Sequence, residues 1–127
     1  MELLDNLTTF WSVIVSPERP CTIKIPNGVS CGLSNASIGR NENTPDNGRT
    51  VLMAKVNGHV ETSIVPFIHG KFESTSLQIE FGELDSIEFR IVGVQVPVHL
   101  CGFLSGGFSI EIEGAGESTL PDIHVNV

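Results

Sequence analysis

VGVQVPVHLCGFLSGG, Val92 to Gly107, is the stretch on which the reading of this chain turns. Side chains of a β-strand alternate between its two faces. Val96, Val98, Leu100, Gly102 and Leu104 then form one apolar stripe, and Pro97, His99, Cys101 and Phe103 share the other face. The second set places a histidine and a cysteine two residues apart, which raises nucleophilic chemistry and metal binding. Strand geometry sets their Cα atoms roughly 6.5–7 Å apart. Parallel side chains at that spacing do not easily reach the contact of about 2.6–3.2 Å that a nucleophile and its base require. No nucleophile elbow or oxyanion loop accompanies them. The stretch is therefore expected to be a packing strand, with His99 in a partly buried slot.

The same alternation recurs along the chain, broken by turn residues every eight to twelve positions. Strands are expected at Phe10–Val15, Thr22–Ile25, Val29–Ile38, Thr50–Val56, His59–Pro66, Thr75–Phe81, Ile87–Val92 and Val96–Leu104, with a ninth candidate at Phe108–Ile112. Helical periodicity is almost absent. Eight or nine short strands in one small domain point to an all-β sandwich or jelly roll. Asn57-Gly58 between two such runs predicts a two-residue type I′ hairpin, because both residues tolerate positive φ. That register leaves both faces of the hairpin partly apolar, more than one monomeric sandwich face needs.

Leu77, Ile79, Phe81 and then Ile87, Phe89, Ile91 alternate on either side of GELDS. Direct pairing of these runs would set Phe81 opposite Ile87 and Glu80 opposite Glu88, with Glu83 and Asp85 at the tip. Like charges facing each other on a sheet cost roughly 0.2–1 kcal/mol. Such a patch is a candidate site for a cationic partner; a solvated acidic edge is the plain alternative. GRNENTPDNGR, Gly39 to Arg49, is expected to be an exposed, mobile loop. GAGESTL, Gly114 to Leu120, reads as tail or linker, and Pro121 to Val127 as a further strand or a free end.

The 127 residues fit one domain with a real core. Acids outnumber bases 15 to 7, a net charge of −8, which disfavours direct nucleic-acid binding and suits a basic partner or simple solubility. No run reaches the apolar length of a membrane span, and the acidic start MELLDNLTTFW makes a poor signal peptide. Three cysteines without a close pair favour a reducing compartment. Neither these nor the four histidines show zinc-ligand spacing, and a P-loop is absent, so no metal, cofactor or catalytic residue is expected.

The order of segments resembles the nucleoplasmin-like core domain. The resemblance rests on Phe10-Trp11 before the Pro17 turn, on Asn35-Ala36-Ser37-Ile38-Gly39, and on Pro97-Val98-His99-Leu100 with Gly102. It implies an eight-stranded jelly roll assembling as a homopentamer or a decamer of two pentamers, in the nucleus or nucleolus, and binding core histones without catalysis. On that basis the core is expected to span residues 10–113, after an extension over 1–9 and before a tail over 114–127. The acids expected to meet histones are Glu80, Glu83, Asp85, Glu88, Glu111 and Glu113. Contacts between subunits are expected at Val96, Val98, His99, Leu100 and Phe103 and at the Asn57-Gly58 turn. The family also includes the amino-terminal domains of nuclear FKBP-type prolyl isomerases, which implies a second reading as a pentamerisation scaffold for an appended domain. Plant-specific histone deacetylase-related proteins supply a third. They begin Met-Glu-Phe-Trp, whereas seven residues separate Met1-Glu2 from Phe10-Trp11 here, and the long Asp/Glu runs of many members are missing.

Overall fold

The computed structural model describes residues 8–40, 44–107, 109–114 and 117–119, the last three by backbone alone. Met1–Leu7, Phe108 and Pro121–Val127, which held an expected extension, a strand start and a free end, lie outside the described residues. Among the described residues, ten strands form two antiparallel five-stranded sheets. These are β1 (Thr8–Val15), β2 (Cys21–Lys24), β3 (Ser30–Ile38), β4 (Arg49–Val56), β5 (Thr62–Ile68), β6 (Ser74–Phe81), β7 (Ser86–Gly93), β8 (Val98–Ser105), β9 (Glu111–Glu113) and β10 (Glu117–Thr119). Sheet A runs β10-β1-β8-β3-β6 and sheet B runs β5-β4-β7-β2-β9. The first eight strands are the expected jelly roll, and β9 and β10 add one short edge to each sheet. The Gly114–Leu120 segment, expected to be tail, thus supplies β10 along the free edge of β1.

The chain changes sheets at every connection except β4–β5. That corrects the expected β6–β7 pairing. β6 pairs with β3 in sheet A, and β7 lies between β4 and β2 in sheet B. Their apolar faces meet across the core instead, where the Phe81 and Phe89 rings pack edge-on at 6.3 Å. Alternation reads identically in both arrangements, because it fixes which residues point inward and not which strand lies alongside. Glu80 therefore sits opposite Gly32, and Glu88 lies between Thr22 and Lys55.

The Asn57-Gly58 turn forms with φ of 53° and 74°, and the His59 amide donates to the Val56 carbonyl at 3.0 Å. The tight hairpin does not follow. The β4–β5 ladder begins only at Ala54 opposite Thr62 and shifts register between Leu52 and Met53. Asn57 is engaged elsewhere. Its amide donates to the Ser86 carbonyl at 2.7 Å, its Oδ1 accepts from the Ser86 amide at 2.8 Å, and its Nδ2 donates to Asp85 Oδ1 at 2.9 Å. The turn thus clamps the β6–β7 connection.

The apolar stripe of β8 lines the core as expected, with Val98, Leu100 and Leu104 essentially inaccessible and Val96 buried just before the strand. Trp11 is buried on β1 directly opposite Gly102 and donates its indole N–H to the Gly32 carbonyl at 3.2 Å. That bond crosses β8 at the point where β3 carries a register shift between Leu33 and Asn35. A Cβ on residue 102 would fall 1.8 Å from the Gly32 carbonyl oxygen. Glycine is thus dictated here by a close backbone approach.

Around Gly39–Arg49 the described residues are held in place. Arg40 pairs with Glu73 and Asp46, each at 2.9 Å, and donates to the Thr44 carbonyl at 3.0 Å. Residues 41–43 of the expected mobile loop lie outside the described residues.

Gly102→Ala is expected to destabilise the domain by about 1–3 kcal/mol or more, the cost of overpacking a close-packed site. Urea unfolding followed by Trp11 fluorescence measures this; an unchanged midpoint would contradict the backbone-contact reading.

Candidate functional site

The two sheets differ in how much charge their outer faces carry. On sheet A the register lines up three outward rows. One runs Phe10, Phe103, Gly32, Glu80; the next Ser12, Cys101, Asn35, Ser76; the third Ile14, His99, Ser37, Ser74. Besides the Cys101 thiol, Glu80 and His99 among these can ionise, and at the β10 edge Glu117 stands in register with Ile14. Phe10 and Phe103 are 48% and 46% exposed, and their rings meet edge-on with centroids 5.8 Å apart. An exposed aromatic pair amid small uncharged side chains is a surface shaped for contact.

Sheet B carries charge on one part of its outer face, while Pro66, Val51 and Val92 line up as an apolar row on another part. Glu113, Thr22, Glu88 and Lys55 line up in one row, and Glu111, Lys24 and Ser86 in the next. Lys24 pairs with Glu113 at 3.7 Å and Lys55 with Glu88 at 3.8 Å. Arg90 grips Glu61 with two bonds of 2.5 and 2.7 Å. The Arg90 hydrogen bond holds the Glu61 carboxyl below the usual glutamate range. Beyond the other end of β5, the Gly70 amide and then Arg40 do the same for Glu73.

Of the six acids expected to meet histones, Glu88, Glu111 and Glu113 share the sheet B face. Glu80 lies on sheet A. Glu83 and Asp85 sit on the β6–β7 connection, where each also shapes the loop. Glu83 accepts from the Gly28 amide and Asp85 from the Gly82 amide, both at 2.8 Å.

The residues expected between subunits divide the same way. Val96, Val98 and Leu100 point into the core of the chain, so their side chains offer nothing to a neighbour. His99 and Phe103 point outward. His99 does not fill a partly buried slot: it is exposed, because no second layer among the described residues covers the outer face of sheet A. Asn57 is occupied in bracing the β6–β7 connection, and Gly58 completes the turn with φ of 74°. Phe10 is the exposed aromatic that sequence reasoning overlooked, although Trp11 facing inward forces its neighbour outward.

The remaining reactive groups are structural. Cys21 and Cys31 are buried and unpaired, and burial pushes both thiols up to about 12. His69 is fully buried, with Nε2 2.7 Å from Thr50 Oγ1. Because the Thr50 hydroxyl donates to the Val94 carbonyl at 2.8 Å, the ring nitrogen must be the donor to Thr50. Among the described residues, no three His, Cys, Asp or Glu side chains gather where a metal ion could bind.

A family model described as the nucleoplasmin-like domain matches residues 10–105. Among solved structures, the Drosophila NLP core superposes with a TM-score of 0.64 at 17% identity, covering 76% of this chain and 97% of its own. That structure is described as providing insight into pentamer formation and histone binding. The nucleoplasmin-like N-terminal domain of Drosophila FKBP39 superposes with a TM-score of 0.56 at 21% identity, covering 77% of this chain and 89% of its own. At these identities the likeness is one of fold. No curated protein sequence matches the chain.

Replacing Arg90 by Gln is expected to raise the Glu61 midpoint toward the ordinary glutamate value of about 4.3. Because the pair lowers that midpoint in the folded chain, it favours folding above the ordinary range and ceases to do so as pH falls through the lowered value. Carboxyl-carbon NMR titration of both proteins checks this; identical Glu61 curves would show that the Arg90 contact does not persist in solution.

Proposed function

The chain belongs to the nucleoplasmin-like domain family, and from that premise we propose that it is a non-catalytic, self-associating histone-binding core of the nucleus. The contrast between the two outer faces carries this reading. A sparsely charged face with a half-exposed aromatic pair suits burial between copies, while a more highly charged face suits water and a basic partner. Most soluble homo-oligomers close by rotational symmetry, and a ring needs a heterologous contact in which each copy offers two different surfaces. Phe10, Phe103 and His99 are proposed as one of these.

Assembly matters for binding because it pools charge. One copy carries −8, a modest field on its own. Five copies in one particle would set up a potential able to steer cationic proteins and raise their association rate. Glu88, Glu111, Glu113, Glu83 and Asp85 are the proposed contact acids. Glu80 stands apart, beside the proposed interface.

A scaffold reading draws support from a specific observation. Glu88, Glu113 and Glu61 already have cationic partners within the chain. A core that spends its surface acids internally could serve mainly to bring together appended segments, whether an acidic tail or an isomerase domain.

Light scattering is expected to return the mass of five chains, or ten, for the unaltered protein. The double variant Phe10→Ser, Phe103→Ser is expected to return single chains with the β-sheet circular dichroism retained. A monomeric unaltered protein would overturn the assembly. Titration with core histones is expected to show binding that weakens as salt rises; assembled protein without salt-sensitive binding would leave the scaffold alone.

A further inference from the structure

A cleft of about 350 Å³ opens at the end of the sandwich beside the β6–β7 connection. Its lining includes Ile25, Pro26 and Leu84, with Lys24, Asp85 and Glu111 at the rim. We propose that this cleft receives an apolar side chain from an extended basic segment, the neighbouring Lys or Arg residues of that segment meeting Asp85 and Glu111.

Three observations combine. First, the cleft has apolar lining and an unspent apolar wall: Leu84 is 70% exposed. Leu84 is held outward by its backbone, with φ of 66°, its amide donating to the Ile25 carbonyl at 2.8 Å and the Ile25 amide donating to the Asp85 carbonyl at 2.9 Å. Second, the rim is net negative. Among the described residues Lys24 is the one cation lining it, and Glu113 pairs with that ammonium at 3.7 Å, leaving the sign to Glu111 and to Asp85, whose charge no cation offsets although it accepts from Asn57 and the Gly82 amide. Third, the cleft lies where β2 and β9 of sheet B meet the β6–β7 connection, and neither Phe10 nor Phe103 lines it. A site with an apolar floor and a few placed charges selects a ligand that has both features. Charge alone brings a basic segment close, and the apolar anchor fixes its register.

The inference rests on the histone-binding reading and refines it, since a purely electrostatic surface would ignore the apolar residue. The test uses two synthetic peptides, Lys-Arg-Leu-Arg-Lys and Lys-Arg-Ser-Arg-Lys, with blocked ends and a fluorescent label. Binding is read by anisotropy on the assembled protein and on its Leu84→Asn variant. Asparagine tolerates positive φ better than leucine, so this variant keeps the turn while removing the apolar wall. The leucine peptide is expected to bind about tenfold more tightly than the serine peptide, and Leu84→Asn to remove that preference while both peptides retain their salt dependence. Equal binding of the two peptides overturns the cleft and leaves the histone reading standing. So does failure of both peptides on protein that still binds intact core histones. Failure of peptides and histones together overturns both.

Discussion

The hydrogen bond from the Trp11 indole to the Gly32 carbonyl, made across Gly102, is the contact that orders sheet A. It joins three neighbouring strands, since β1 pairs with β8 and β8 with β3. It needs an indole facing the core, a residue without a side chain opposite it, and a register shift in β3 that turns the Gly32 carbonyl toward the ring. Once these are met, Trp11 faces in and Phe10 faces out, where Phe103 meets it. One buried contact thereby determines what the exposed face displays. The other segments that carry the family resemblance serve the same seam. Asn35 to Ile38 pair with Cys101 to Val98, and the Gly39 amide donates to the Pro97 carbonyl at 2.9 Å.

Strand content and the inward faces were legible because alternation is a local property. Val98, Leu100 and Leu104, or Ile87 and Phe89, announce their burial within a few residues of sequence. Partner choice was not legible. Leu77, Ile79 and Phe81 satisfy the same pattern whether Ile87, Phe89 and Ile91 lie beside them or across the core, and a short connection permits either. The Asn57-Gly58 turn was read correctly as a turn. Its register was lost because Asn57 binds Ser86 and Asp85, partners nearly thirty residues away that no local rule could supply.

The candidate site was legible in part for the same reason. Phe103 and His99 emerged from the strand pattern. Val96, Val98 and Leu100 were assigned to a subunit contact only because one apolar stripe can serve a core or an interface, and the second sheet decides which. The acids appeared as one patch through the assumed β6–β7 pairing; separating those strands sends Glu80 to one face and Glu88 to the other. What remains on sheet B is a mixed field of paired charges, worth little to the stability of a single copy because each pair is exposed. Its value to a basic partner lies in repetition. The account thus makes the sparsely charged face and the more highly charged face interdependent, since the first multiplies the second.

Cys101 offers a direct probe of that dependence. It sits on the sparsely charged face between Ser12 and Asn35, whereas Cys21 and Cys31 are buried with thiols pushed up to about 12 and so remain silent toward mild reagents. The measurement is the rate of thiol labelling in native protein as concentration is lowered through dissociation. The account predicts one reactive thiol per chain that is protected at high concentration and becomes accessible on dilution. A Cys101 that reacts at the same rate at every concentration would contradict burial of this face between copies.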